Sequence, residues 1–308
     1  MTDDAEIELP RGVALAWGVA ANPQRGPKRE MSVERIVEAA VEIADADGLS
    51  AVSMAAVAAQ LGFTPMSLYR YVTAKDDLIL LMQEEATGVP PADLREGNWR
   101  ERLEKLYHAQ VQQYLRHPWV LDVPISGSPA TPNSAAWMDA GLTALAGTPL
   151  SHNDRLAVVL LVTGHARWTG IVLAGYARTE RATGENDLDI AKREDGLYRQ
   201  LITADEYPEL RAAIDAGVFL DTSDPFSFGI ARGLDGVATY MAAVAEGRPE
   251  PAAPWQAAED ADIAADKKFR EARKAVREAE KALRDAQKIE RQAARDARER
   301  LARGRAAG

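Results

Sequence analysis

The side chains best suited to chemistry lie on one short predicted helix, residues 64–71. If Leu68 packs inward, the outer face of that helix carries Thr64, Met66, Ser67 and Arg70. A short helix that enters the major groove of duplex DNA brings its outer side chains to the base edges. Hydroxyl and guanidinium groups form hydrogen bonds there, so this pattern favours recognition of DNA over catalysis.

The sequence offers little that is typical of an enzyme. It has no cysteine, which excludes thiolate metal sites, disulfides and cysteine nucleophiles. We find no glycine-rich phosphate loop and no nucleophile elbow, and the run Thr163-Gly164-His165 specifies no site by itself. No spacing of histidines and carboxylates is typical of a metal site. We therefore predict a protein that is not an enzyme and that has neither a cofactor nor a metal.

Two predicted elements hold the short helix in place. A preceding helix over 53–61, capped by Ser53, braces it. Gly62 and Phe63 form the turn, in which glycine adopts the positive φ that other residues resist. Thr64 is expected to cap the short helix, with Pro65 in its first position. Together the two helices predict a helix-turn-helix.

This segment resembles a known family. The run SMAAVAAQLGFTPMSLYRYVTAKDDLILLM, residues 53–82, resembles the signature of the tetracycline-repressor (TetR) family of transcriptional regulators. Residues 226–237 are similar to the last helix of the C-terminal domain in the tetracycline-repressor subgroup. The resemblance covers about residues 32–246. The matching signature positions are Leu61, Gly62, Leu68, Tyr69, Val72, Lys75 and Leu78.

The resemblance implies a set of DNA contacts. Tyr69 and Lys75 would hold backbone phosphates, as Tyr71 often does in the family, and Arg70 is the best candidate for a guanine contact by its bidentate geometry. Ala55 stands where some members have arginine, so one base contact is in doubt. An N-terminal basic arm would follow the minor groove or the phosphates, although mere solubility explains it as well. The expected DNA-binding residues are Arg25, Lys28, Arg29, Ser53, Thr64, Pro65, Met66, Ser67, Tyr69, Arg70, Tyr71 and Lys75.

The charge distribution limits this argument. The net charge is −10, which argues at first against a nucleic-acid partner. Residues 262–305 carry 15 basic and 9 acidic side chains, a net of +6, so the rest of the chain carries −16. Even residues 25–85 have 6 basic and 10 acidic side chains. DNA binding therefore depends on where a few cations are placed.

Proline and glycine divide the chain, and no convincing strand pattern occurs, so we predict an all-α fold. The expected parts are an N-terminal extension (1–30), a three-helix helix-turn-helix domain (31–87), an effector-binding and dimerisation domain (92–247), and an extended charged helical tail (257–308). Residues 13–17 are expected to form one helical turn within the extension. The polar residues 178–195 are expected to be partly disordered.

The resemblance also implies an effector pocket among the helices of 99–225 and a dimer formed by the helices near 151–175 and 226–244. The expected ligand-binding residues are Tyr107, His108, Tyr114, Trp137, His165 and Trp168. A buried histidine more often has a core partner than a ligand, and the two tryptophans are more often core residues. The expected dimer residues are Phe226, Phe228, Gly229, Gly233, Gly236 and Val237.

The sequence thus predicts a ligand-responsive repressor. It would bind a palindromic operator in double-stranded DNA as a homodimer and be released by a small, hydrophobic effector. A cytoplasmic protein with no membrane partner is expected, because there is no signal peptide and no long apolar run. The alternative is a helical scaffold that uses its tail, whose seam is half alanine. A solvated or self-packing tail ranks ahead of a nucleic-acid contact.

Overall fold

A computed structural model describes residues 9–19, 31–125, 127, 130–248, 263 and 266–306. These residues are mainly helical and include no strand, so the prediction of an all-α fold is confirmed. The chain forms two units, Met1–Pro249 and Glu250–Gly308. The helices are α1 (Arg11–Ala16), α2 (Val33–Asp47), α3 (Met54–Leu61), α4 (Pro65–Leu68), α5 (Lys75–Thr87), α6 (Trp99–Arg116), α7 (Pro132–Ala144), α8 (His152–Thr183), α9 (Asp187–Leu201), α10 (Pro208–Asp215), α11 (Pro225–Ala245) and α12 (Lys267–Ala306).

Short polar side chains and one glycine set the helix ends of the helix-turn-helix. The Ser53 hydroxyl oxygen accepts a hydrogen bond from the Ala56 N–H at 3.1 Å and so begins α3, as predicted. Gly62 ends α3 in the left-handed conformation, with φ of 76°. The expected side-chain cap at Thr64 is wrong: its side chain accepts no capping bond, and its carbonyl accepts from the Ser67 hydroxyl at 2.6 Å.

The core of the helix-turn-helix continues into the segment that follows α6. Ile36 of α2, Leu68 of α4 and Leu78 of α5 are completely buried in one apolar cluster. Trp119 and Val120, in a single-turn segment after α6, belong to the same cluster. The helix-turn-helix and the segment that follows α6 therefore share one core.

The first helix, α1, packs against α5. The Gly12 N–H donates to Asp77 Oδ1 at 2.9 Å, and the Trp17 indole N–H donates to the Ala130 carbonyl at 2.7 Å. A Cβ on residue 12 would lie 3.2 Å from the Asp77 main chain, so this close approach requires glycine. The predicted single turn near residues 13–17 is thus a docked helix that begins at Arg11.

The helices after residue 98 are built around α6, α8 and α11. Leu106 of α6, Val162 of α8 and Leu234 of α11 are almost or completely buried in a second apolar cluster. At its edge, the Arg100 guanidinium forms an ion pair with Asp235 at 2.7 Å, which ties α6 to α11. This pair lowers the pKa of Asp235 from its ordinary value.

The expectation of partial disorder over residues 178–195 is wrong. Helix α8 continues to Thr183, and α9 begins soon afterwards, where the Asn186 side chain accepts from the Asp189 N–H at 3.0 Å. Ile190 is 1% exposed, and Asp195 binds Arg199 at 2.6 Å. A cap, one buried apolar residue and an ion pair order this polar segment, whose composition suggested otherwise.

Candidate DNA-binding surface and ligand cavity

The short helix α4 presents its outer face to solvent. Met66 is 72% exposed, and Thr64, Pro65 and Arg70 are also exposed. Leu68 and Val72, both 0% exposed, anchor the segment in the core. The helix is shorter than predicted, because only Pro65–Leu68 is helical and a turn follows through Tyr71.

The side chains expected to hold phosphates differ in their accessibility. Tyr69 is 43% exposed, and Lys75 is exposed at the first residue of α5. Tyr71 is half-buried against the core of the helix-turn-helix, which leaves it less free to contact DNA. Ser53 is exposed, with its hydroxyl oxygen engaged in capping α3. The arm residues Arg25, Lys28 and Arg29 lie outside the described residues.

A cavity of about 500 Å³ lies where α5, α6, α7 and α8 meet. Its wall is mainly apolar, with Leu80 on α5, Met138 on α7 and Val159 on α8. Polar groups reach it from α5, α6 and α8, as is usual for sites that take small organic molecules. Those polar residues are Gln83, Gln110, Gln113, Tyr114, Thr163 and Arg167.

The polar groups of the cavity differ in what they already bind. The Arg167 guanidinium donates to the carbonyls of Leu121 and Val123 at 3.0 and 2.9 Å. Burial raises the pKa of the Tyr114 phenol, and the nearby Arg167 opposes this only in part, so the phenol stays protonated and can donate. Gln110 Oε1 is buried and, within the described part of the chain, accepts no hydrogen bond. It can accept one from a hydroxyl or amine of a ligand.

The aromatic residues predicted to bind ligand separate into two groups. Tyr114 and Trp137 line the cavity, whereas Tyr107, His108, His165 and Trp168 do not. Tyr107 stacks on His165 with ring centres 5.5 Å apart and shares a hydrogen bond with the Thr169 hydroxyl at 3.0 Å.

These contacts give Tyr107 and His165 partners within the chain. For the histidine, a partner of this kind is the alternative to ligand binding that the sequence left open. His165 Nε2 also lies 2.8 Å from the Phe226 carbonyl oxygen. His108 packs edge-on against Tyr107, and Trp168 is 57% exposed on α8. The sequence did not single out the three glutamines or Arg167. The only available signal was their polarity on otherwise apolar helices.

The residues predicted at a dimer interface fall into two groups, those that are exposed and those that pack within the chain. Phe228 is 65% exposed, and Gly233 and Gly236 are partly exposed or exposed on α11. Val237 is 8% exposed within the chain's own core. Phe226 is half-buried, and a Cβ on Gly229 would lie 2.9 Å from the His165 ring, so these two serve packing within the chain.

The outer face of α8 is apolar. Leu161, Trp168 and Ile171 are 47%, 57% and 39% exposed and lie on one side of the helix. By length and composition α8 would qualify as a membrane-spanning helix. In this structure it packs along α6 and α11, so only part of its surface remains uncovered.

Comparisons with known proteins matched both the helix-turn-helix and the helices around the cavity. Residues 36–82 match the family model of bacterial regulatory proteins of the tetR family, and residues 90–241 match that of the tetracyclin repressor-like C-terminal domain. The chain is 33% identical to the HTH-type transcriptional repressor DrrR1 of Streptomyces coeruleorubidus over 237 residues, 76% of this chain and 87% of that protein. The chain belongs to the TetR family. The resemblance identified from the sequence is thereby confirmed.

Other relatives of this TetR-family chain agree. An HTH-type transcriptional regulator of Saccharopolyspora erythraea is 28% identical over 166 residues, 54% of this chain and 70% of that protein. Apo ActR from Streptomyces coelicolor superposes with a TM-score of 0.56 at 22% identity, covering 71% of this chain and 99% of that one. ActR structures also exist with (S)-DNPA and with actinorhodin bound. The family is one of DNA-binding transcriptional regulators.

Proposed function

We propose that this TetR-family chain is a repressor that binds a near-palindromic operator as a homodimer and leaves it when a small molecule enters the cavity. The observation that carries this proposal is the course of one helix, α5. Lys75 begins α5 close after residues 64–71, which we call the recognition segment, whereas Leu80, Gln83 and Thr87 line the cavity. One rigid element of 13 residues, about 18 Å long, thus connects the two sites.

A ligand shifts the equilibrium between two conformations only if it binds one of them better. Because α5 forms a wall of the cavity, a ligand that displaces this wall also moves Lys75 and the core under α4. The DNA-competent arrangement then becomes the less populated one. We infer that an occupied cavity and tight operator binding exclude each other.

The cavity wall favours a mainly apolar effector with a few hydrogen-bonding groups. Trp137 and Val159 supply apolar surface, Tyr114 supplies a donor, and Gln110 supplies an acceptor. Organic molecules bound to ActR, a protein of similar fold, support a ligand in this kind of domain. The effector is thus a small organic molecule with at least one hydroxyl or amine.

The dimer follows from the apolar face of α8. Trp168 and Leu161 on α8 and Phe228 on α11 expose apolar side chains that a second copy would cover. A two-fold dimer places two recognition helices about 34 Å apart, one turn of DNA. We assign residues 31–87 to DNA binding and 92–247 to the effector and dimer, and we place the protein in the cytoplasm with its DNA.

A selection experiment tests the proposal directly. The full chain is incubated with random duplex DNA, and bound duplexes are recovered and sequenced over several rounds. A near-palindromic motif should emerge, and light scattering of the complex should give two chains for each duplex. Selection that enriches no motif, or binding by single chains, would contradict the proposal.

A further inference from the structure

The C-terminal helix α12 is exposed over most of the length for which side chains are described. It runs from Lys267 to Ala306, and the side chains described between 270 and 293 are all exposed. This is the most basic part of a chain that is otherwise strongly acidic. The roles proposed for the recognition helix and for the cavity do not explain this concentration of positive charge.

The cations of α12 fall on one side of the helix. Seven basic residues recur at intervals of three or four, which places them on a single face. We call them the basic ridge: Arg270, Arg273, Arg277, Lys281, Arg284, Lys288 and Arg291. The carboxylates Glu271, Glu278 and Asp285 recur every seven residues along one flank of the ridge, and Glu280 lies on the other flank.

Two ion pairs of α12 lie at the margin of the ridge, and most ridge cations in the described part of the chain have no carboxylate beside them. Lys267 pairs with Glu271 at 3.9 Å and Lys274 with Glu278 at 3.8 Å. Among the residues that the structure describes, no carboxylate lies within ion-pair distance of six ridge members. These are Arg270, Arg277, Lys281, Arg284, Lys288 and Arg291.

The ridge matches duplex DNA in length and charge. Its 21 residue steps, from Arg270 to Arg291, rise about 32 Å, close to one turn of B-DNA, at about 34 Å. Duplex DNA carries one negative charge per ~1.7 Å, so a linear array of cations of this length finds phosphates along its whole extent. The helix-turn-helix segment itself has more acidic than basic residues over 25–85 and supplies little attraction of its own.

We propose that the basic ridge of α12 binds the phosphate backbone of duplex DNA and adds sequence-independent affinity to the operator complex. This inference rests on the proposed operator binding, which brings α12 to DNA as part of the same chain. Tethering converts the second contact into an intramolecular one, so a weak electrostatic contact is enough to raise the total affinity.

Two other partners fit this helix less well. An anionic membrane surface needs large apolar side chains beside the cations, and the apolar side of α12 is mostly alanine, with Phe269, Val276 and Leu283 as its larger members. The same alanines make a weak seam for a coiled coil between two copies. The charge of the ridge is its strongest feature, and it favours DNA.

The test compares two triple variants of the full chain that remove equal charge. The ridge variant carries Arg277→Gln, Lys281→Gln and Arg284→Gln. The matched control carries Lys192→Gln on α9 with Lys268→Gln and Arg300→Gln on α12, three exposed cations that lie off the ridge. Glutamine is a good helix former, and circular dichroism checks that α12 is retained. Fluorescence anisotropy then measures binding to the selected operator and to an unrelated duplex over a range of NaCl concentrations.

The ridge variant should weaken binding to both duplexes by the same factor, about tenfold or more at ~0.1 M salt. The slope of log affinity against log salt should become shallower by about 0.9 for each lost phosphate contact, up to about 2.7. The control should stay within about twofold with an unchanged slope. Equal losses in both variants would attribute the effect to bulk charge and overturn the ridge, and so would no loss in either.

Two further measurements separate the remaining outcomes. Loss of binding to phosphatidylserine vesicles by the ridge variant, with DNA affinity unchanged, would assign α12 to a membrane and overturn the proposal. Arg70→Ala should reduce the preference for operator over unrelated DNA, which the ridge variant leaves intact. If the wild-type chain prefers no DNA sequence, the proposed repressor function fails. The affinities of the two variants for the unrelated duplex then still test whether the ridge binds DNA.

Discussion

The Asp45 carboxylate accepts the indole N–H of Trp119 at 2.7 Å. The same carboxylate lies 2.8 Å from His117 Nδ1. Asp45 is near the end of α2 in the helix-turn-helix, whereas Trp119, 2% exposed, follows α6 of the effector domain. A side-chain contact between residues 74 positions apart therefore joins the domain that reads DNA to the domain that holds the cavity.

Replacing Asp45 should weaken both stability and effector response. Asp45→Ala leaves a buried indole N–H without its acceptor, which costs about 1–3 kcal/mol of the free energy of unfolding. Operator affinity without effector should change little, while more effector is needed for release. Urea unfolding and effector titrations of the DNA complex measure the two effects. Asp47→Ala, two residues along and exposed, is the matched control and should stay within about 0.5 kcal/mol.

Substitutions of Arg70 and Lys75 should distinguish recognition of the base sequence from general affinity for DNA. Arg70→Ala should cost about 1–3 kcal/mol at the operator and relax the choice of base at one position. Lys75→Ala should weaken all duplexes alike and make the salt slope shallower by about 0.9. Anisotropy titrations on operators with single base changes distinguish the two. A uniform loss for Arg70→Ala would assign it to the phosphates.

The packing of α7 on α8 leaves no room at Gly141. A Cβ there would lie 2.8 Å from Val159 Cγ2, so Gly141→Ala overpacks the core and should lower the free energy of unfolding by about 1–3 kcal/mol. Gly175→Ala, on α8 with no atom within 4 Å of its new Cβ, should instead stabilise by up to about 1 kcal/mol. Thermal unfolding of both variants tests this, and a stable Gly141→Ala would refute the tight contact.

Acid should reduce the stabilisation that the Asp224 carboxylate gives to the start of α11. The Ser227 hydroxyl, followed by the N–H groups of Ser227 and Phe226, holds the pKa of Asp224 below its ordinary 3.8. A lowered folded pKa means that the stabilisation is present above about pH 4 and is lost as the pH falls through the folded pKa. Asn caps helices but does not titrate. Between about pH 6 and about pH 3, the free energy of unfolding, measured with urea, should therefore fall more for the wild type than for Asp224→Asn. Parallel curves would contradict this.

The exposed face of α8 should control dimerisation. Trp168→Glu places a charge in the proposed interface and should raise the dimer dissociation constant at least about tenfold, since an unpaired charge is costly to bury. Leu188→Glu on α9, 55% exposed, is the matched control and should leave the dimer unchanged. Sedimentation velocity over a range of concentrations measures both. A dimer that tolerates Trp168→Glu places the interface elsewhere.

The local signals in the sequence predicted much of the fold. Ser53 and Gly62 begin and end α3 as expected, because caps depend on residues within one turn. The exposure of Met66 and the burial of Leu68 also follow from spacing along a helix. Helix α9 was missed because its order depends on a few tertiary contacts, among them Ile190, in a polar sequence.

The parts that were not predicted depend on contacts distant in sequence. The docking of α1 uses Gly12 with Asp77 and Trp17 with Ala130, pairs separated by 65 and 113 positions. Aromatic character alone did not identify the cavity, because Tyr107 and His165 stack on each other and bind Thr169 and the Phe226 carbonyl away from it. No periodic pattern reveals which polar residue on an apolar helix will find a partner.

The helix-turn-helix is joined to the helices that follow it by more than the continuous chain through α5 into α6. Asp45 binds Trp119, and Trp119 and Val120 are packed in the same apolar core as Leu68 of α4. A close-packed joint of this kind resists independent movement of its two sides. We therefore expect a displacement of the cavity wall to be passed on to the segment that carries Arg70.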